Sequence, residues 1–217
     1  MSKLDVKLMG DGNIGGGSYN SIKIMGNGRV VDDVEAKIIR VMGNCEFAAV
    51  QAEQITVAGL AEYNGDILGG SLKVSGNVLV RGKIKNEKIS VSGELRAQDI
   101  ETEQLVCRGV LQADSLNAND VRLALYGRSK VKEIGAENVD VCNKGFWGLL
   151  QSFVGGHLSA LEVDVIEADR IYLENTLAKT VKGNRVAIGP GCQIDLVEFK
   201  DAVSVHTDAK VGQTIQM

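Results

Sequence analysis

The residues that could carry chemistry are few and scattered. His157 and His206 are the only histidines, and Cys45, Cys107, Cys142 and Cys192 lie too far apart to form a C-x-x-C pair. Metal centres built from thiolates and imidazoles draw on closely spaced pairs, so no metal is expected. Thiols placed this way read as small buried hydrophobes of a reducing compartment. General-base catalysis needs an imidazole or carboxylate within reach of a nucleophile, and neither histidine has such a constellation beside it. Asp32/Asp33 and Glu101/Glu103 read as solvated acids at turns or on outward faces. No catalytic residue and no cofactor is expected.

Two glycine-rich stretches imitate known sites. "GDGNIGGGSYN" contains Gly10-x-Gly12-x-x-Gly15, the spacing of a dinucleotide fingerprint. That fingerprint needs a strand before it, a helix after it and an acidic residue about 20 residues on. Here Ser18, Tyr19 and Asn20 lead into another strand, so a turn is expected. "IGPGCQI" (Ile188–Ile194) has the spacing of the hexapeptide repeats of left-handed β-helix acyltransferases, but shows it once. An acyltransferase-like enzyme and a monomeric solenoid that binds through a flat sheet face stand as the alternatives to the reading developed below.

The third unusual stretch is "KGFWGLLQSFVGG" (Lys144–Gly156), which holds the only Trp and two of the four Phe. Phe146, Leu149, Leu150 and Phe153 follow i, i+3, i+4, i+7, one face of a helix. Gly145, Gly148, Gly155 and Gly156 bound or weaken it. A short apolar helix or loop near 144–158 is therefore expected. Three destinations are open to it: the flank of its own fold, a protein partner or second subunit, or a membrane surface. Phe146, Trp147, Leu149, Leu150 and Phe153 are the candidate contacts for a partner or membrane through 145–156.

What surrounds these stretches is a repeat, and a repeat decides the architecture. Apolar-x-apolar-x-Gly recurs as "VKLMG", "IKIMG", "IRVMG", "ITVAG", "LKVSG", "ISVSG" and "LVCRG". The first apolar position falls at 6, 22, 39, 55, 72, 89 and 105, in steps of 16 or 17. "VRLALYG" and "VDVCNKG" carry two more residues before the Gly. Upstream, an apolar and a small residue recur at fixed offsets, as in Val34/Ala36, Val50/Ala52, Leu116/Ala118 and Ile134/Ala136. The pattern resumes at Ile166/Ala168 and runs through Val186/Ile188 and Val203/Val205.

Alternation of period two puts Ile55 and Val57 on one face and Thr56 on the other. Strands this short cannot bury an apolar face alone, so successive units must stack. Each unit reads as one turn of a parallel β-helix with three short strands around an aliphatic core. The glycines supply a positive φ or a close backbone approach at corners. At a strand spacing of ~4.8 Å, eleven or twelve turns make a rod on the order of 50 Å long. The chain then divides into a β-helix block over 1–143, an apolar insertion over 144–160 and a second block over 161–217. An open solenoid exposes a strand edge at each end, and the repeat runs almost to both termini. End-to-end polymer contacts are expected at Val6, Leu8, Val203 and Val205.

Composition fits this reading. There are 26 Gly and one Pro, Pro190, which suits many tight turns and not a disordered linker. A formal net charge of −4 gives no drive toward nucleic acid. No secretory core and no run of about 18 apolar residues is present. A cytoplasmic location is expected, peripheral at the inner face of the membrane where the aromatic stretch meets lipid.

The glycine-punctuated units, "IKIMGNGRVVDDVEAKIIRVMG" most clearly, resemble the bactofilins, bacterial polymer-forming cytoskeletal proteins. "IEADRIYLENTLAKTVKGNRVAIGPGCQIDLVEF" looks like the C-terminal part of the longer versions in low-GC Gram-positive bacteria. The resemblance covers nearly the whole chain. It implies a right-handed β-helix that assembles into filaments without nucleotide, from further copies of itself alone or with a paralogous subunit. It also implies non-enzymatic scaffolding in cell shape, envelope organisation or motility.

Overall fold

The computed structural model of the chain describes residues 3–142 and 160–217. They fall into two compact units, Met1–Glu103 and Gln104–Met217. Every element among the described residues is a strand, and the strands pair in parallel. The architecture is the parallel β-solenoid of about 12 turns expected from the repeat, right-handed as the family resemblance implies. The apolar stretch expected at 144–158 lies outside the described residues.

In the first unit a longer and a shorter strand alternate. The longer ones are β1 (Leu4–Leu8), β3 (Gly17–Ile24), β5 (Val34–Val41), β7 (Val50–Val57), β9 (Ile67–Val74) and β11 (Lys83–Val91). Between them run β2 (Gly12–Ile14), β4 (Asn27–Val30), β6 (Asn44–Phe47), β8 (Leu60–Tyr63), β10 (Asn77–Val80) and β12 (Glu94–Arg96). Strand β7 shows why a turn has three sides. Val50 and Ala52 point inward, Glu53 and Gln54 are both exposed, then Ile55 and Val57 point inward again. Two successive outward residues break the alternation and mark a corner inside the strand. The repeat positions stack in register, Val6 on Ile22, Ile39, Ile55, Leu72 and Ile89. From Ile22 onward this column is buried, and each such side chain is worth roughly 1.5–3 kcal/mol over exposure.

The recurring glycine also forms a column: Gly10, Gly26, Gly43, Gly59, Gly76 and Gly93. A Cβ on any of the last five would fall on the carbonyl oxygen of the glycine one turn below. That oxygen is already engaged, since the residue after each upper glycine donates its N–H to it, as in Leu60 N to Gly43 O at 2.9 Å. Of this column only Gly10 has a positive φ, 91°. The corner therefore demands glycine for close approach, not for a left-handed backbone.

β13 (Asp99–Cys107) carries the chain from the first unit to the second. There the sides of a turn merge into longer strands: β14 (Val110–Ala124), β15 (Arg128–Cys142), β16 (Ala160–Leu173), β17 (Thr176–Ile188), β18 (Gln193–Val205) and β19 (Lys210–Gln216). Val121, Val139, Ile171, Val186 and Val203 stack in one column. Ala118, Ala136, Ala168 and Gly183 form the small-residue column beside it. One corner uses Asn175 at φ 46°, the non-glycine type that tolerates this region best.

Candidate assembly surfaces

The groups that could have done chemistry are put to structural use. Cys45, Cys107 and Cys192 are buried core residues. Burial pushes their thiols up to about 12, 11 and 11 respectively, so they are poor nucleophiles at neutral pH. His206 follows β18, and its Nδ1 accepts the Asp208 N–H at 3.1 Å. His157 lies outside the described residues. Among the described residues, no group of three His, Cys, Asp or Glu side chains is placed to hold a metal ion. No helix there is long and apolar enough to cross a membrane.

Both imitative motifs occupy corners. Gly10 ends the turn after β1, Gly12 opens β2, and the strand β3 follows where a nucleotide fold would place a helix. "IGPGCQI" bends between β17 and β18 with Gly191 at φ 73°, and the buried Cys192 Sγ lies 3.3 Å from the Leu173 carbonyl. Asp33 fastens a corner, its Oδ1 accepting the Ala49 N–H at 3.0 Å. Asp66 does the same for Lys83 N at 2.8 Å. Glu101 pairs with Lys85 at 2.7 Å on an outward face.

The strand edges are the larger surfaces. β1 pairs with β3, β2 with β4, and neither has a second partner among the described residues. Val6 and Leu8 are half-buried, whereas Ile22 and Ile24, directly above them, are fully buried. In the second unit, Ala202–Val205 pair with Arg185–Ile188 of β17, and β19 covers only Gln193–Phe199 of β18. Val203 is half-buried and Val205 is 45% exposed, whereas Val186 and Ile188 beneath them are buried. The four residues named from the sequence thus lie at one edge of each unit. The five aromatic and leucine positions, Phe146, Trp147, Leu149, Leu150 and Phe153, lie outside the described residues.

Vertical neighbours form ladders that sequence order conceals. Asn27 donates to Asp11 Oδ1 at 2.9 Å, and Asn44 donates to Asn27 Oδ1 at 3.1 Å, one rung per turn. In the second unit, Asp114, Lys132, Asp164, Lys179 and Asp195 succeed one another with alternating sign. Their neighbours Ala113, Val131, Val163, Ala178 and Ile194 are in register. Lys132 meets Asp114 at 2.8 Å and Lys179 meets Asp164 at 2.8 Å. The hydrogen bond from Lys179 holds the Asp164 carboxyl below its ordinary range. Hydrogen bonds to Asp114 and Asp164 raise Lys132 and Lys179 respectively, and the charge of the acid beyond adds to each. Exposed pairs contribute little energy singly. Their order matters more, because skipping one rung would set like charges against each other.

No protein-family model matches the chain, and no solved structure matches it. It is 30% identical over 217 residues, 90% of each chain, to YhbF of Bacillus subtilis, itself described as uncharacterised. It is also 40% identical over 104 residues to uncharacterised YhbE of the same organism, covering 47% of this chain and 43% of that one. With nine-tenths of both chains aligned at that identity, the protein belongs to the family of Bacillus subtilis YhbF.

Proposed function

We propose that this protein is a non-enzymatic, self-assembling scaffold of the bactofilin type, whose units polymerise end to end without nucleotide. The observation that carries the reading is the state of the strand edges. Core-column aliphatics Val6, Leu8, Val203 and Val205 are part-exposed where the next rung is buried. Beside them run strands with one hydrogen-bonding edge open among the described residues. Such an edge is a template for another strand, and pairing would complete the ladder and cover the aliphatics together. The resemblance of the repeat to bactofilins points the same way and suggests work in cell shape, envelope organisation or motility at the cytoplasmic side of the membrane.

The test is negative-stain microscopy of the purified protein in nucleotide-free buffer. Filaments are expected from the intact chain. Val6→Asp and Val205→Asp, each placing a charge at an edge, are expected to leave short or single particles of unchanged circular dichroism. Persistent monomers at high concentration, or compact trimers, would overturn the reading.

A further inference from the structure

One face of the first unit carries a patch that assembly does not explain. Lys7, Lys23 and Arg40 stack in register on successive turns and point outward. Two residues further on, just past the end of each strand, come Met9, Met25 and Met42, which are 65%, 41% and 47% exposed. The methionines stack as well, since Met25 N donates to Leu8 O at 3.0 Å and Met42 N to Ile24 O at 2.8 Å. None of the three cations has an ion-pair or hydrogen-bond partner among the described residues. The patch ends sharply. On the fourth turn the same two positions are Thr56 and Ala58, and on the fifth Lys73 and Ser75.

We propose that this Lys/Arg–Met face docks an acidic amphipathic helix of a partner protein. The dimensions suit one. The rungs are ~4.8 Å apart and a helix rises 5.4 Å per turn. Over three rungs the two repeats drift by only about 1.2 Å. One apolar residue per helical turn then meets each methionine. Carboxylates beside it meet the cation column, which is about 6.8 Å away across two strand residues. Thioether side chains are flexible enough to absorb the drift and suit an adaptable apolar contact. The mode is that of a helix laid on a surface and read at i, i+3/i+4, i+7.

An anionic bilayer is the other partner with complementary charge, and the surroundings disfavour it. A plane laid on the patch would also meet the corner of the same face, where the exposed Glu53 and Glu87 offset the exposed Lys37 and Lys88 and leave no net positive charge. Asp5 and Asp11 flank the patch at its first turn and are exposed too. A helix confined to three rungs avoids the glutamates. This inference does not depend on polymer formation.

The experiment is fluorescence anisotropy with a labelled, hydrocarbon-stapled 11-residue peptide (about 16 Å as a helix), carrying Leu at i, i+4 and i+7 with Glu beside them. A scrambled peptide of identical composition is the control. Saturable binding at low salt is expected for the patterned peptide only. It should weaken at least ten-fold in Lys7→Gln/Lys23→Gln/Arg40→Gln and, separately, in Met9→Ser/Met25→Ser/Met42→Ser. Lys73→Gln/Lys88→Gln, beyond the patch, should leave it unchanged. The proposal is overturned by equal binding of the scrambled peptide, by no saturable binding, or by either triple variant binding like the intact protein. Phosphatidylglycerol vesicles captured through the same six residues would also overturn it.

Discussion

Replacing Gly59 by alanine tests whether the glycine column sets the spacing of the turns. An alanine Cβ there would lie well inside 3.0 Å of the Gly43 carbonyl oxygen. The nearest offending atom is backbone, so no side chain can swing aside to relieve it. One rung must move away from the other, and the Leu60 N to Gly43 O hydrogen bond at 2.9 Å is the first casualty. Its loss costs about 1 kcal/mol, and a half-buried carbonyl left without a donor adds roughly 1 kcal/mol. Alanine stiffens the unfolded chain and returns only about 0.4–1 kcal/mol. The net expectation is a loss of roughly 1–2 kcal/mol. Gly15→Ala is the matched control: a Cβ there has nothing within 4 Å, and its φ is not in the left-handed region. It should be neutral or slightly stabilising. Urea unfolding followed by circular dichroism gives both values, and amide hydrogen exchange at Leu60 locates the damage. If Gly59→Ala unfolds no earlier than Gly15→Ala, close approach is not what requires glycine at this corner.

Two further perturbations probe the interior and the outer ladders. Tyr63 is fully buried, stacked on Phe47 with ring centroids 4.8 Å apart, and its hydroxyl has no hydrogen-bond partner among the described residues. Tyr63→Phe keeps the stack and removes a buried unpaired group. It should raise stability by about 1–2 kcal/mol, seen as a melting temperature several degrees higher; a fall would contradict this account. Asp164→Asn breaks the alternating ladder at its centre. Because the folded carboxyl titrates below its ordinary 3.8, its contribution is present above that value and is lost as pH falls through the folded one. The melting temperature should drop by roughly a degree or two at pH 7, and the gap between the two proteins should close in acid. A gap unchanged at pH 2 would remove the carboxylate as its cause.

The turn-by-turn architecture was legible because stacking forces identical roles onto residues one turn apart. Ile22, Ile39, Ile55, Leu72 and Ile89 could be aligned by eye, and they are the residues that stack. What the glycines do was legible only in part. Both a positive φ and a close approach explain a recurring Gly, and only the neighbouring turn's carbonyl decides between them. Lateral chemistry was harder still, since it depends on residues adjacent across turns and distant along the chain. Met9, Met25 and Met42 follow the same steps of 16 and 17 as the core, so their column was available to anyone who aligned outward positions too. Asn86 was not foreseeable in this way. It is buried in the column of Ala36, Ala52 and Gly69 with its side-chain amide unpaired among the described residues, against the expectation that such a position holds a small residue. In the second unit the step changes to 18, 32, 15 and 17 between Val121, Val139, Ile171, Val186 and Val203. A fixed period fails there although the stacking does not.

The step of 32 has a consequence of its own. Arg128–Val141 and Ala160–Leu173 keep their register as though nothing stood between them in the chain. Cys142 O accepts from Leu125 N at 3.1 Å and Ala160 N donates to Gly127 O at 3.3 Å, so the chain leaves and re-enters the ladder at one corner. The rungs above and below that corner keep their alignment without counting the residues between Cys142 and Ala160. Such a position is a port: its contents can lengthen, shorten or be exchanged for a foreign domain while the core keeps its alignment. A fluorescent protein spliced between Cys142 and Ala160 would report on the protein without using either strand edge. Through the same port, evolution could change what the solenoid carries without redesigning how it is built.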